Sequence, residues 1–112
     1  MADKPVIFVT GIQLSPEIEE DVNRWYDETQ APWLLESGWI QRANRYKLIC
    51  GNGNEYPLYV AIYEFENQQA FEAWHFGPKF AAARARRREI WPDDVYQVKW
   101  NAAYELTSAS RK

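Results

Sequence analysis

Residues 23–39, NRWYDETQAPWLLESGW, carry the pattern that decides the fold of this chain. The segment ends an amphipathic helix, passes a proline and leads into a strand. It holds three tryptophans and one tyrosine beside the polar side chains of Asp27 and Gln30. Flat apolar surfaces combined with a few polar groups are typical of small-molecule pockets. The segment therefore indicates a ligand-binding class of function without naming a reaction.

Composition narrows the class of protein further. A chain of 112 residues fits a single domain spanning 1–112, with 107–112 as a frayed tail. An aromatic content of 16% argues against disorder, and a net charge of −3 argues against a nucleic-acid or anionic-membrane partner. The chain shows neither a leader pattern nor a long apolar run, so we expect a cytoplasmic protein. A single cysteine, Cys50, and a single histidine exclude an internal disulfide and a zinc-like cluster.

The first helix is marked at both of its ends. Ser15-Pro16 is a strong start signal, because serine caps free N–H groups and proline suits the first helical position. Helical spacing then places an apolar row on one face and extends it to Gln30, which predicts that this amide points inward. Proline disfavours helical geometry in the residue before it, so we expect the helix to end at Pro32. The apolar row consists of Ile18, Val22, Trp25 and Tyr26.

The rest of the chain predicts a simple alternation of elements. Strands are expected at 5–12, 38–49, 57–65 and 94–106, and a second helix is capped by Asn67, interrupted at Gly77-Pro78 and resumed over 79–90. The resulting order is βαββαβ, an α+β ferredoxin-like fold with a four-stranded antiparallel sheet and two helices on one face. The other sheet face then needs a cover, and aromatic alternation such as that from Tyr96 to Tyr104 gives it apolar content. A homodimer that packs sheet against sheet is the simplest solution.

The predicted second strand has two mixed faces. Period-two alternation groups Ile40, Arg42, Asn44, Tyr46 and Leu48 on one face, with Trp39, Ala43, Arg45 and their neighbours on the other. The polar strip Arg42, Asn44 and Tyr46 is interpreted as the edge of a pocket. Arg45 lies on the opposite face from Tyr46. Its guanidinium could clamp a substrate carboxylate, but a surface or interface ion pair is the expected role.

These residues resemble a known superfamily. The pattern N-x-W-Y-D-x-x-x-x-P-x-L-L, followed by a Gly-aromatic pair and A-x-R-Y, is similar to that of EthD-like proteins in the dimeric α/β-barrel superfamily. The matching residues are Asn23, Trp25, Tyr26, Asp27, Pro32, Leu34, Leu35, Gly38, Trp39, Ala43, Arg45 and Tyr46. The resemblance implies a dimeric α/β barrel. The superfamily includes cofactor-free oxygenases, haem-degrading enzymes, lactone isomerases and polyketide cyclases.

Gln30 stands where the pattern of the resembling family usually has histidine. An amide cannot move protons near neutral pH, but it can donate and accept hydrogen bonds. The resemblance thus gives Gln30 the role of holding a substrate oxygen or stabilising negative charge. The haem-degrading members carry a histidine about three helical turns after the position that corresponds to Trp74-His75. In this chain that histidine is replaced by an arginine, at or near position 84. We therefore expect no haem and no other cofactor.

Three further residues are candidates for the chemistry. Asp27 beside apolar walls is a possible base, although an exposed or arginine-paired carboxylate is the alternative. Tyr46 offers a phenol hydroxyl, although such tyrosines more often pack in a core. His75 is the only side chain with an ordinary pKa near neutrality, yet a lone histidine is usually a packing or capping residue. The basic run Arg84 to Arg88 is expected to be a solvated face, and Cys50 a packing residue without an activating neighbour.

Together these residues predict a pocket between the helices and the sheet. Catalytic roles fall to Asp27, Gln30, Tyr46 and His75, and the substrate is hydrophobic, aromatic or polyketide-like. The leading hypothesis is cofactor-independent proton transfer of the isomerase, cyclase or lyase type. A cofactor-free monooxygenase and a non-catalytic binding protein are the alternatives. The expected substrate-binding residues are Trp25, Tyr26, Trp33, Trp39, Asn44 and Trp74.

Overall fold

Residues 4–53 and 55–112 are described by the computed structural model. Within them, four strands form one antiparallel sheet in the spatial order β2-β3-β1-β4. Helical segments fill the connections between β1 and β2 and between β3 and β4, so the predicted ferredoxin-like order is confirmed. The strands are β1 (Val6–Leu14), β2 (Ile40–Lys47), β3 (Tyr59–Phe65) and β4 (Tyr96–Glu105).

The first helical connection contains a π-helical turn. A short 3₁₀ turn (Pro16–Ile18) leads into α1 (Glu19–Trp25), the π-helical turn covers Tyr26–Gln30, and α2 (Ala31–Leu35) follows. The prediction that the helix ends at Pro32 is therefore wrong. The N–H of Ala31 donates to the carbonyl of Tyr26, five residues back, and this wider turn lets a new α-helical segment begin. Pro32 then occupies the first turn of α2, where its missing N–H costs little.

The second helical connection has the predicted N-terminal cap and the predicted interruption. The Asn67 side chain accepts a 2.8 Å hydrogen bond from the N–H of Ala70 and caps α3 (Gln68–His75). The helix is interrupted at Gly77, where a Cβ would lie 2.5 Å from the carbonyl oxygen of Ala73. Helix α4 (Pro78–Ile90) then starts on a proline. The interruption at Gly77-Pro78 is thus confirmed.

The core lies between the helices and one face of the sheet. One cluster surrounds Phe8, Phe65 and Trp74, and a second surrounds Val22 and Tyr96. Trp74, Phe65, Leu34 and Val22 have almost no solvent exposure. Because these side chains come from helices and strands alike, the helices are held against the sheet by apolar burial.

Two β-bulges change which face the strand residues occupy. In β4 the pairing passes from Ile12–Val98 to Gly11–Trp100, so Lys99 is an extra residue. The predicted unbroken alternation from Tyr96 to Tyr104 is therefore wrong after Val98. In β2 a similar shift at Gln41 places Ile40 on the helix-covered face, opposite to Arg42, Asn44 and Tyr46. The pattern alone does not reveal a bulge, since one inserted residue keeps the local composition unchanged.

The second face of the sheet has no helix over it in the described part of the chain. The bulge turns Trp100 onto this face, where its indole covers Gly11 so closely that a Cβ there would lie 2.7 Å from the ring. Trp100 and Tyr104 are nonetheless half exposed. Hydrophobic side chains of β1 and β3 that share this face, such as Val9 and Ile62, pair with each other. This open sheet face is thus rich in apolar and aromatic surface.

Candidate functional site

A cavity of about 600 Å³ lies between the sheet and α4. Its volume is within the ordinary range for small-molecule sites. Side chains reach it from β1, the π-helical turn, β3, α4 and β4, so every layer of the fold contributes. The lining residues are Thr10, Ile12, Trp25, Tyr26, Gln30, Tyr63, Phe80, Ala83, Arg84, Arg87, Arg88, Asp93, Tyr96, Gln97, Val98, Lys99 and Asn101.

Three tyrosines form the aromatic wall of this cavity. Burial raises the pKa of Tyr26 to about 12, and burial also raises the pKa of Tyr63 and of Tyr96. All three hydroxyls therefore keep their protons at neutral pH. The hydroxyls of Tyr26 and Tyr63 are close enough to interact, but the buried Tyr26 oxygen has no partner in hydrogen-bonding geometry. A buried hydroxyl that is left without a partner in the wall of a cavity is rare in native proteins and calls for an explanation.

Arg45 supplies a fixed positive charge behind this wall. Its guanidinium lies over the rings of Tyr26 and Tyr59, at 4.9 Å and 4.3 Å from their centroids. Nη1 donates a 2.8 Å hydrogen bond to Oδ1 of Asn23, whereas Nε and Nη2 are buried without partners. The expected surface ion pair is therefore wrong, because the side chain is held by aromatic faces and an amide. Arg45 favours negative charge on the neighbouring tyrosines and lowers the pKa of Tyr26 and Tyr63 against the larger effect of burial.

Gln30 lines the cavity, yet its amide is already engaged. The side chain is 5% exposed, Nε2 donates to the carbonyl of Ala83 at 3.3 Å, and Oε1 accepts from Nε of Arg86 at 3.2 Å. Arg86 in turn stacks over Trp33 at 4.4 Å. The amide thus joins the π-helical turn to α4 and fixes the width of the cavity. One N–H of the amide remains for a ligand.

The arginines of α4 that line the cavity lie in two different environments. Arg87 is buried, donates 2.9 Å hydrogen bonds to the carbonyl of Trp91 and to Asp93, and lies over the ring of Tyr96. Arg84 and Arg88 line the cavity from its exposed side. The expectation of a simple solvated face is therefore wrong. The signal was present in the sequence, since residues 80, 83, 84, 87 and 88 are spaced to share one helix face.

Asp93 is the carboxylate of the cavity lining. Arg87 and Arg88 both contact its Oδ1, at 2.9 Å and 3.3 Å. The hydrogen bond from Arg87, helped by the charges of both arginines, lowers the pKa of Asp93. Sequence reasoning did not single out this residue, because it follows a helix and precedes a strand without any distinctive motif.

The predicted catalytic residues are not brought together around this cavity. Asp27, Asn44 and Tyr46 line a separate, shallow depression at the β2 edge, where they meet Tyr26 and Arg45. The Tyr46 side chain is 55% exposed and points to the open side of β2. Of the four candidates, Gln30 is the one that reaches the larger cavity. The two sites are separate because β2 forms one edge of the sheet, whereas the cavity lies near β4, which forms the other edge.

His75 belongs to an aromatic cluster. Its ring stacks on Phe71 at 5.0 Å and contacts Phe80 at 4.6 Å and Phe8 at 5.3 Å between centroids. Burial lowers the pKa of His75, and its Nδ1 is buried without a partner. The imidazole is therefore neutral at pH 7 and separated from the cavity by Phe80, which lines it.

The predicted tryptophan wall is only partly assembled. Trp25 lines the cavity and packs edge-on against Trp91 at 5.2 Å. Trp33 instead lies under Arg86, and Trp39 is exposed beside the start of α3. Trp74 is 1% exposed and packs within the core. Helical spacing alone does not distinguish a buried tryptophan from one that borders a cavity.

No group of three or more His, Cys, Asp or Glu side chains among the described residues is placed to hold a metal ion. No helix in this part of the chain has the length and apolar character needed to cross a membrane.

The chain has the ferredoxin-like α+β fold that the resemblance implied, and an EthD family protein and a dimeric ferredoxin-like protein share this fold. The chain belongs to the family described as "Domain of unknown function (DUF4286)", whose model matches residues 5–105. The comparison with curated proteins found no match.

Solved structures share the fold at low sequence identity. The heme-degrader MhuD from Mycobacterium tuberculosis, with two hemes bound in its active site, is similar at TM-score 0.70 and 17% identity, over 95% of this chain and 99% of that one. An EthD family protein from Bacillus halodurans gives TM-score 0.65 and 8% identity over 93% and 99%. A dimeric ferredoxin-like protein of unknown function from Thermobifida fusca gives 0.57 and 14% over 95% and 92%. At these identities the likeness establishes the fold and leaves the activity open.

Proposed function

We propose that this protein is a cytoplasmic enzyme that catalyses cofactor-independent proton transfer on an aromatic or polyketide-like small molecule. The substrate occupies the cavity between the sheet and α4, and the protein stabilises its enolate. The fate of the enolate decides the product. Return of the proton to another atom gives an isomer, attack of the enolate carbon on a second carbonyl of the same molecule followed by protonation of the new alkoxide gives a ring, and loss of a β-leaving group gives an elimination product. Cys50 is exposed, so the expectation of a packing residue is wrong. A free exposed thiol suits a reducing compartment.

The observation that carries this proposal is the Tyr26 hydroxyl. It is buried, protonated at neutral pH and without a hydrogen-bond partner beside a cavity with aromatic walls. A fixed donor in a water-poor site stabilises the oxygen on which negative charge develops. Arg45, 4.9 Å from the centre of the Tyr26 ring, adds a positive charge behind it. This arrangement favours an enolate over the neutral ketone.

The proton acceptor constrains the class of substrate. Asp27 and His75, the residues expected to move the proton, lie outside the cavity, so the role passes to Asp93 in its lining. Its ion pairs with Arg87 and Arg88 lower its pKa and make it a weak base. Such a base removes a proton only from an acidic carbon, such as one between two carbonyl groups. Polyketide-like 1,3-dicarbonyl compounds have this carbon.

We propose further that two chains pair through the open sheet face. That face carries Trp100 and Tyr104 half exposed, together with the apolar side chains of β1 and β3. Apolar surface of this kind is stabilised when it is removed from water. The Thermobifida fusca protein of the same fold is described as dimeric, which supports a dimer here.

Native mass spectrometry of the purified protein tests the assembly and the ligand class together. We expect a mass of twice the 13.2 kDa chain at micromolar concentration, and any co-purified ligand to be an aromatic compound with a carbonyl group. A monomer would contradict the sheet-to-sheet pair. A bound haem or a purely aliphatic ligand would contradict the proposed substrate class.

A further inference from the structure

The mouth of the cavity carries an excess of positive charge. Arg84 and Arg88 lie one turn apart on α4, and Lys99 approaches from β4. With the buried Arg87, four cations and one carboxylate, Asp93, line the cavity of a chain whose net charge is −3. The local charge is therefore opposite in sign to the charge of the whole protein. Such a local field attracts anions to the site.

Asp93 neutralises only part of this charge. Its contacts are with Arg87 and Arg88. Among the described residues, no carboxylate forms a salt bridge with Arg84 or with Lys99. The Arg84 guanidinium lies 5.6 Å from the centre of the Phe80 ring, so it sits beside an apolar wall. Two cations are thus left for a ligand at the border between aromatic surface and solvent.

The β-bulge gives Lys99 its place at this mouth. Lys99 is the extra residue between the pairs Ile12–Val98 and Gly11–Trp100. Lys99 and Val98 therefore both line the cavity, whereas Trp100 lies on the opposite face of the sheet. Bulges commonly redirect a side chain near a functional site. In a regular strand, Lys99 would point away from Val98.

We infer that Arg84 and Lys99 form an anion subsite that binds a carboxylate carried by the aromatic ligand. The inference rests on the proposed function, because it assigns the charge of the same substrate. The ring system lies against Trp25, Tyr26 and Phe80, and the carboxylate is held at the mouth, on the solvent side of the aromatic wall. Arginine binds a carboxylate through paired N–H groups, and lysine adds a second point charge.

A matched pair of probes tests the subsite by isothermal titration calorimetry. 2-Naphthoate and 2-naphthamide have nearly the same shape, but only the first is charged at neutral pH. We expect 2-naphthoate to bind about tenfold more tightly or better, because hydrogen bonds to charged groups are the stronger ones. Arg84→Gln and Lys99→Gln should each remove most of this preference while leaving 2-naphthamide affinity unchanged. Lys79→Gln, an exposed change on the same helix, is the matched control and should keep it.

The outcomes separate this inference from the function on which it rests. Equal affinity for acid and amide would overturn the anion subsite and leave an aromatic cavity intact. A preference that survives in both Arg84→Gln and Lys99→Gln would place the charge recognition elsewhere and overturn the assignment. Binding of neither probe would overturn the subsite and count against the aromatic cavity as well.

Discussion

Replacing Tyr26 by phenylalanine is expected to slow enolate chemistry by about 10²- to 10³-fold, because it removes the hydroxyl that we propose as the donor to the developing oxyanion. A suitable probe is 1-(2-naphthyl)butane-1,3-dione, a neutral 1,3-diketone whose enol is followed by its ultraviolet absorbance. The Tyr26 hydroxyl lies close to that of Tyr63 but has no partner in good hydrogen-bonding geometry, so its loss breaks no well-formed hydrogen bond. We therefore expect the free energy of unfolding of Tyr26→Phe, measured with urea, to equal or slightly exceed that of the wild type.

Tyr46→Phe is the matched control for this prediction. Tyr46 is 55% exposed on the open side of β2, outside the larger cavity, so removing its hydroxyl should change the tautomerisation rate little. The opposite result, with Tyr46→Phe inactive and Tyr26→Phe active, would move the site to the depression at the β2 edge. Equal and small effects of both changes would remove the tyrosine donor from the mechanism.

Trp74→Ala is expected to cost about 3–5 kcal/mol of unfolding free energy, the usual range for emptying a large aromatic site in a core. Trp74 is 1% exposed and contacts Phe8, Tyr63, Phe65 and Phe80. Small domains have about 5–15 kcal/mol of stability in total, so this variant should be close to unfolding at room temperature. Urea denaturation followed by circular dichroism measures the loss.

Trp39→Ala separates burial from the mere removal of an indole. Trp39 is 42% exposed, so its truncation should lower the unfolding free energy only slightly. Trp25→Ala should instead weaken ligand binding, because Trp25 lines the cavity. If Trp74→Ala stayed fully stable but lost ligand affinity, Trp74 would be a pocket residue, as its sequence pattern suggested.

Local signals in the sequence were enough for the element order. Asn67 caps α3, Gly77-Pro78 separates α3 from α4, and the four strands follow β-branched and aromatic runs. Each of these signals acts within a few residues of its effect. The exceptions are the π-helical turn and the two bulges. A π-helical turn or a bulge is chosen by the packing of distant elements, so it leaves no clear local pattern.

Only some of the residues that line the cavity could be predicted from the sequence. Gln30 and Tyr26 were identified because they continue the apolar row of a helix, and both reach the cavity. Asp93 and Lys99 were missed, since one follows a helix and the other is aimed by a bulge. The charge of the α4 arginines predicts a solvated face, although helical spacing places Arg84, Arg87 and Arg88 on one side of the helix. The prediction groups Asp27 with Gln30 by their spacing on one helix, and it adds Tyr46 from the polar strip of β2. Neither pattern reveals that β2 is an edge strand away from the larger cavity.

The most direct test of enolate stabilisation in this cavity is the tautomerisation of 1-(2-naphthyl)butane-1,3-dione by the wild-type protein under argon. The account predicts a rate well above that in buffer, with the same rate in air, because the chemistry moves only protons. A rate that equals the buffer rate while the probe binds would identify a non-catalytic binding protein. Consumption of the probe that requires air would identify a monooxygenase. Either result would contradict the proposed proton-transfer activity.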